Sequence, residues 1–251
     1  MSAPHRNSLQ PMLDRLAQRT SLSDSDSDSL LSLPHRCARF DASAYIVRDG
    51  DMADSCGVLL DGFVYRHKVT GDGARQILSI HMRGDIVDLH NSLLGYADHN
   101  VQALTQAELA FIPRLALLKL CAEHPAIAQA LWRDTLVDAS IFREWIVNVG
   151  RRDARQRIAH LLCEIALRQE AAGLCEGPNY AWPMTQEQVG DATGLTSVHV
   201  NRTLQGMRSE GLVTTSKQRV TIADWAGLQT AGDFCCAYLH QPHLHQSREA
   251  A

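Results

Sequence analysis

The 251 residues suffice for one large or two ordinary domains, since a domain usually runs to about 100–150 residues. At 45% hydrophobic and 21% charged, the composition describes a chain with a real core, and no apolar run approaches the roughly 18 residues that suggest a membrane span. A formal net charge of -4 gives no global pull toward nucleic acid, so any such contact must come from a local basic face.

The seven cysteines are odd in number, scattered from Cys37 to Cys236 and free of any C-x-x-C pair, which argues against a disulfide framework or a zinc ribbon. Met1–Gln10 is polar, contains Pro4 and lacks an apolar stretch of the secretory kind, so the cysteines are expected in a reducing cytoplasm. Residues 1–33 read as two short helices carrying Leu9, Leu13 and Leu16, then Leu30, Leu31 and Leu33. Between them, Ser23-Asp24-Ser25-Asp26-Ser27-Asp28-Ser29 resembles an acidic phosphoacceptor run. Ser and Asp are also the favoured N-cap and first-turn residues, and the leucines that follow at once favour capping.

From residue 34 to 125 the texture is mainly β. Tyr45-Ile46-Val47, Val58-Leu59-Leu60, Phe63-Val64-Tyr65 and Ile77-Leu78-Ser79-Ile80 are short β-branched and aromatic runs, separated by Asp49-Gly50, Asp61-Gly62 and Gly71-Asp72-Gly73. Such spacing predicts hairpins of a small antiparallel barrel. After Pro113 the pattern turns helical, and residues 126–150 form one long helix with Ile127, Leu131, Leu136, Ile141, Trp145 and Val149 along one side. At 1.5 Å per residue it spans about 35 Å, more than a small barrel covers, so Leu131, Ile141 and Trp145 are expected to meet a second copy of the helix in a symmetric homodimer. Gly150 marks the expected hinge, and 151–225 the C-terminal domain, followed by a polar tail over 226–251.

Within that domain Thr185–Gln205 has the requirements of a helix-turn-helix: small Gly190 where two helices cross, Gly194 for the turn, and Val189, Leu195 and Val200 to lock the pair. Thr185 with Gln188 is a capping box, and Thr196 or Ser197 caps the second helix. Ser197, Val198, His199, Asn201 and Arg202 then face outward, a set suited to base edges in a major groove. Thr185, Gln186 and Thr196 at the helix starts complete the DNA-contacting set. Leu212–Thr215 and Val220–Ile222 make a strand pair tipped by Lys217 and Arg219, a wing placed to touch phosphate.

On these residues the chain resembles the cyclic-AMP receptor protein and fumarate-nitrate regulator (Crp/Fnr) superfamily over roughly residues 10–225. The most specific segments are Gly194–Arg202, Arg208-x-Glu210-Gly211-Leu212-Val213, and Gly84-Asp85 after a strand. The resemblance implies an α+β architecture: an N-terminal β-roll of the cyclic-nucleotide-binding jelly-roll type, a long dimerisation helix and a C-terminal winged helix-turn-helix. It also implies a cytoplasmic homodimer on a palindromic promoter site, in contact with RNA polymerase.

Departures from the pattern bear on specificity. Val198 stands where the family commonly has a Glu, and Asn201 where it has Gly or Ser, so the operator should differ from the family consensus, while Arg202 matches the family's base-reading Arg. The effector segment carries Asp88, His90, Asn91, His99 and Asn100, with Asp98-His99 where cyclic-nucleotide binders have Arg-Ser. A carboxylate there repels phosphate, so no cofactor is expected, cyclic AMP included. Clustered N-terminal cysteines for an iron–sulfur centre are missing. Haem stays open through His81, His90 or His99, as does a cyclic-nucleotide or redox response within the same fold. The tail, with Cys235-Cys236 and His240, His243 and His245, reads as a flexible polar terminus rather than a metal site. With no Ser-His-Asp elbow, phosphate-cradling loop or close metal-ligand pair, catalysis is not expected.

Overall fold

The computed structural model describes residues 8–52, 54–175 and 177–241, with Asn91 and Ser92 in backbone alone. The chain forms two compact units, one from the residues up to Lys68 with Ser79–Ala139, the other from Val69–Leu78 and the residues from Ser140 on.

The first unit opens with helices α1 (Gln10–Ala17) and α2 (Asp24–Leu31). Ser23 caps α2 in a capping box with Asp26, the role that the Ser-Asp tract suggested. Eight strands follow: β1 (Arg36–Phe40), β2 (Tyr45–Val47), β3 (Ser55–Asp61), β4 (Val64–Val69), β5 (Arg75–His81), β6 (Ile86–Val87), β7 (Asn100–Ala103) and β8 (Ala107–Pro113), with the short helix α3 (Asn91–Leu94) before β7. They form two four-stranded sheets, β1-β8-β3-β6 and β2-β7-β4-β5. Alternation along β3 and β8 shows why both faces of the first sheet are apolar. Leu59, Leu109 and Phe111 turn inward with Val64 and Val101 of the second sheet. Cys56, Val58, Ala110 and Ile112 turn outward under Leu9, Met12, Leu16 and Leu30 of α1 and α2. The N-terminal leucines therefore cover the outside of the β-roll. Arg15 of α1 is half-buried among Asp85, Asp134 and Asp138. Burial alone would lower its pKa, but the three carboxylates raise it.

Helix α4 (Arg114–Glu123) precedes α5 (Pro125–Arg151). Gly150 lies inside the last turn of α5, and the chain breaks at Asp153, whose extended backbone and side chain cap α6 (Ala154–Ala171). The three residues expected at a dimer contact are buried in their own chain. Leu131 belongs to the core under α1 and α2, Ile141 is 5% exposed, and Trp145 donates from Nε1 to both Glu164 oxygens, at 3.1 and 3.0 Å. The outer face of α5 instead carries Trp132, Leu136, Ile146 and Val147, exposed by 68, 54, 68 and 44%. The apolar residues of α5 wrap around more than one stripe, and of the expected one Leu136 falls on the exposed side.

In the second unit α6 is buried along most of its length, and α7 (Gln186–Thr193) and α8 (Ser197–Ser209) pack beside it. Strands β9 (Asn179–Ala181), β10 (Val213–Ser216) and β11 (Arg219–Ile222) form a sheet in the order β10-β11-β9. The tail expectation needs correction. Helix α9 (Trp225–Ala231) and a 3₁₀ turn at Cys236–Leu239 bury Leu228, Phe234 and Leu239, and a Cβ on Gly232 would lie 2.7 Å from the His160 backbone nitrogen. These apolar residues anchor 226–241 to the domain. His243 and His245 lie outside the described residues.

Candidate nucleic-acid interface

The helix pair α7–α8 is assembled by local hydrogen bonding and one close approach. The Gln188 N–H donates to Thr185 Oγ1 (3.2 Å) and the Thr185 N–H to Gln188 Oε1 (2.9 Å), closing both ends of the capping box. Gly194 ends α7 in the left-handed conformation, φ 68°. Gly190 is where the helices cross, since a Cβ there would lie 2.4 Å from the Leu195 carbonyl oxygen. Arg157 of α6 holds the turn by donating from Nη1 to the Thr193 carbonyl at 2.8 Å. Nothing local in the sequence marks that contact.

Thr196 caps α8 by accepting from the His199 N–H. Val200, Leu204 and Met207 face the core, which leaves Ser197, Val198 and Arg202 exposed and His199 and Asn201 half-buried beside them. Val198 is 77% exposed. Arg202 donates from Nη2 to His199 Nε2 at 2.6 Å, so His199 orients the guanidinium one turn further along the helix. Thr185 and Gln186 are exposed at the start of α7.

The two expected wing cations differ. Lys217 is exposed at the β10–β11 turn, with φ 51°. Arg219 is held against β9, donating from Nε to Asn179 Oδ1 (2.9 Å) and from Nη2 to the Asn179 carbonyl (3.0 Å). Arg155 is paired with Glu210, and Arg208 donates to Thr215 Oγ1 at 2.9 Å, tying α8 to the wing. Arg202 and Lys217 are exposed on this face, as are Arg208 and Arg219 with their hydrogen-bond partners.

The residues expected to form an effector pocket lie in the first unit. Asp88, His90 and His99 come together where β6 ends and β7 begins. Asn100 is turned to the β2–β3 turn, where its Oδ1 accepts from the Asp49 N–H at 3.2 Å. The Asn91 side chain lies outside the described residues. Buried Arg66, which the sequence did not single out, donates to Asp88 Oδ1 at 3.3 Å. His81 is engaged elsewhere, 2.8 Å from Ser79 Oγ and 3.5 Å from Asp85, and burial pushes its pKa down.

A family model for the Crp-like helix-turn-helix domain matches residues 156–231, and one for the cyclic nucleotide-binding domain matches residues 37–124. The transcriptional activator protein FnrL of Cereibacter sphaeroides is 29% identical over 199 residues, 77% of this chain and 79% of its own length. The nitrogen fixation regulation protein FixK of Azorhizobium caulinodans is 25% identical over 193 residues, 76% of this chain and 77% of its own. The structure of FixK2 from Bradyrhizobium japonicum matches with a TM-score of 0.75 at 22% identity, covering 81% of this chain and 100% of that one, a likeness of fold.

Proposed function

We propose, on the premise that the chain belongs to the Crp/Fnr superfamily of transcription regulators, that it works in the cytoplasm as a homodimer on a palindromic promoter site. The observation that carries this reading is the outward face of α8, where Arg202 is aimed by His199 beside the exposed Val198. Arg reads guanine through O6 and N7, and a valine can meet a thymine methyl but cannot accept from a cytosine amino group. The operator therefore combines a guanine with a neighbouring thymine in each half-site. Half-sites related by the protein's two-fold lie about 10 base pairs apart.

The exposed Trp132, Leu136, Ile146 and Val147 support dimerisation, because four large apolar side chains on one side of a helix are costly in water and a second copy covers them symmetrically. The name of FnrL supports activation, and the family resemblance supports contact with RNA polymerase. Cyclic AMP is not the effector in this reading, because Asp98, 2.7 Å from His99 Nδ1, stands where the resemblance expects the phosphate-pairing Arg-Ser, and a carboxylate repels phosphate. Selection of bound fragments from random duplex DNA tests the proposal. A palindromic motif with a guanine in each half is expected, and recovery of sequences without a common motif refutes it. Micromolar binding of cyclic AMP by calorimetry refutes the effector reading.

A further inference from the structure

We propose that Asp88, His90 and His99 form a binding site for a divalent first-row transition-metal ion inside the β-roll. One ligand atom from each residue lies within 4.8 Å of the others. Two imidazoles and a carboxylate without thiolate are the donor set that suits zinc, iron(II), nickel or copper(II) rather than magnesium or calcium.

Two features of the buried groups suit a bound cation. Asp88 is 3% exposed. Its Oδ1 is used by His99 and Arg66, while Oδ2 is buried with no hydrogen-bond partner. Leaving a buried carboxylate oxygen unsatisfied is unfavourable, and a metal ion satisfies it. Asp88 also holds a left-handed backbone, φ 61°, which is strained for a residue with a Cβ and recurs at ligand sites.

The second feature is the placement of His99. Its Nδ1 lies 2.7 Å from Asp98 Oδ1 and its Nε2 lies 2.8 Å from Asp88 Oδ1. An imidazolium donates to both carboxylates, whereas a neutral imidazole has one N–H and serves only one. A metal on Nε2 takes the place of the second proton while Asp98 holds Nδ1–H, which is the carboxylate–histidine–metal arrangement. The His90 ring stands 5.3 Å from that of His99. Arg66 and, at the rim, Lys68 offset part of the carboxylate charge, which places the burden of affinity on the imidazoles. The inference does not depend on the DNA-binding reading.

The test is titration of the purified full chain, stripped with chelator, with Co²⁺ as spectroscopic probe and Zn²⁺ as competitor, in the absence of DNA. Saturable visible absorption, displaced by Zn²⁺, is expected. His90→Gln and His99→Gln should each weaken it at least tenfold, and Asp98→Asn by about 10–100-fold through the orientation of His99. The double variant His243→Ala, His245→Ala should bind as tightly as the parent chain, which separates this site from the histidines of the C-terminus. Circular dichroism verifies folding, and half-buried His90 provides a variant that disturbs the core least. The absence of saturable Co²⁺ absorption overturns the proposal, as does binding that persists unchanged in folded His90→Gln.

Discussion

Gly190→Ala tests the assembly of the recognition helix by adding one methyl group. The new Cβ would sit 2.4 Å from the Leu195 carbonyl oxygen, whereas ordinary contact begins at 3.4 Å. The start of α8 must therefore retreat by about 1 Å. Overpacking of this kind costs about 1–3 kcal/mol. With about 2–4 °C of melting temperature per kcal/mol for 150–250 residues, a loss of roughly 4–8 °C is expected at the middle of that range. That loss leaves the domain folded but moves Arg202 relative to the wing, and forfeiting one bidentate base contact removes about 1–3 kcal/mol of discrimination. Gly206→Ala is the control, because a Cβ there meets nothing within 4 Å. In the interior of α8 it should stabilise by about 0.5–1 kcal/mol. Thermal denaturation and fluorescence anisotropy with specific and random duplexes read both quantities. If Gly190→Ala melts and binds like the parent chain, or if both variants shift together, the crossing is not where the structure puts it.

Arg202→Ala should weaken the specific site by about 1–3 kcal/mol while sparing random DNA, whereas Lys217→Ala should weaken both alike and reduce the salt slope by about one unit. Equal losses for Arg202→Ala on the two DNAs would show that it touches only backbone. If the proposed homodimer pairs through the exposed side of α5, Ile146→Glu should yield a folded monomer in sedimentation, since an uncompensated buried charge costs about 3–5 kcal/mol; a persisting dimer moves the interface elsewhere. His160 is pushed down to about 3 by burial and then by Arg152, from the usual 6.5. Its unfolded form thus takes up a proton that the folded form refuses. Stability is complete above the usual value and falls as pH drops toward about 3. His160→Gln should flatten the urea-midpoint difference between neutral pH and about pH 5, and an unchanged slope would rule out His160 as its source.

Much of the DNA-binding domain was legible because its signals are local. Thr185 and Gln188 satisfy each other's backbone across three residues, Gly190 and Gly194 stand at fixed offsets, and a two-strand wing follows. The β-roll was legible for a similar reason, since Asp49-Gly50 and Asp61-Gly62 punctuate short β-branched runs. The apolar spacing of Leu228, Phe234 and Leu239 could have revealed that the end of the domain is packed, but the histidines around it drew the reading toward a polar tail.

By itself the sequence determined what backbone hydrogen bonding and side-chain period decide within a few residues: the capped helices, the helix-turn-helix with Ser197, Val198 and Arg202 exposed, and the turns between strands, although Asp49-Gly50 and Asp61-Gly62 carry the chain from one sheet to the other rather than closing a hairpin. Only the tertiary structure decided which groups meet across long separations. Arg219 is held by Asn179, 40 positions away, and Arg15 reaches Asp134 over 119. Asp88 and His99 touch because β6 and β7 bring them together. The same holds for α5, where Leu131 is used by one core and Trp145 by Glu164, leaving Trp132, Leu136, Ile146 and Val147 in water. Helical period places residues on faces, but which face is buried depends on what packs against it, and those partners lie too far along the chain for any local pattern to record.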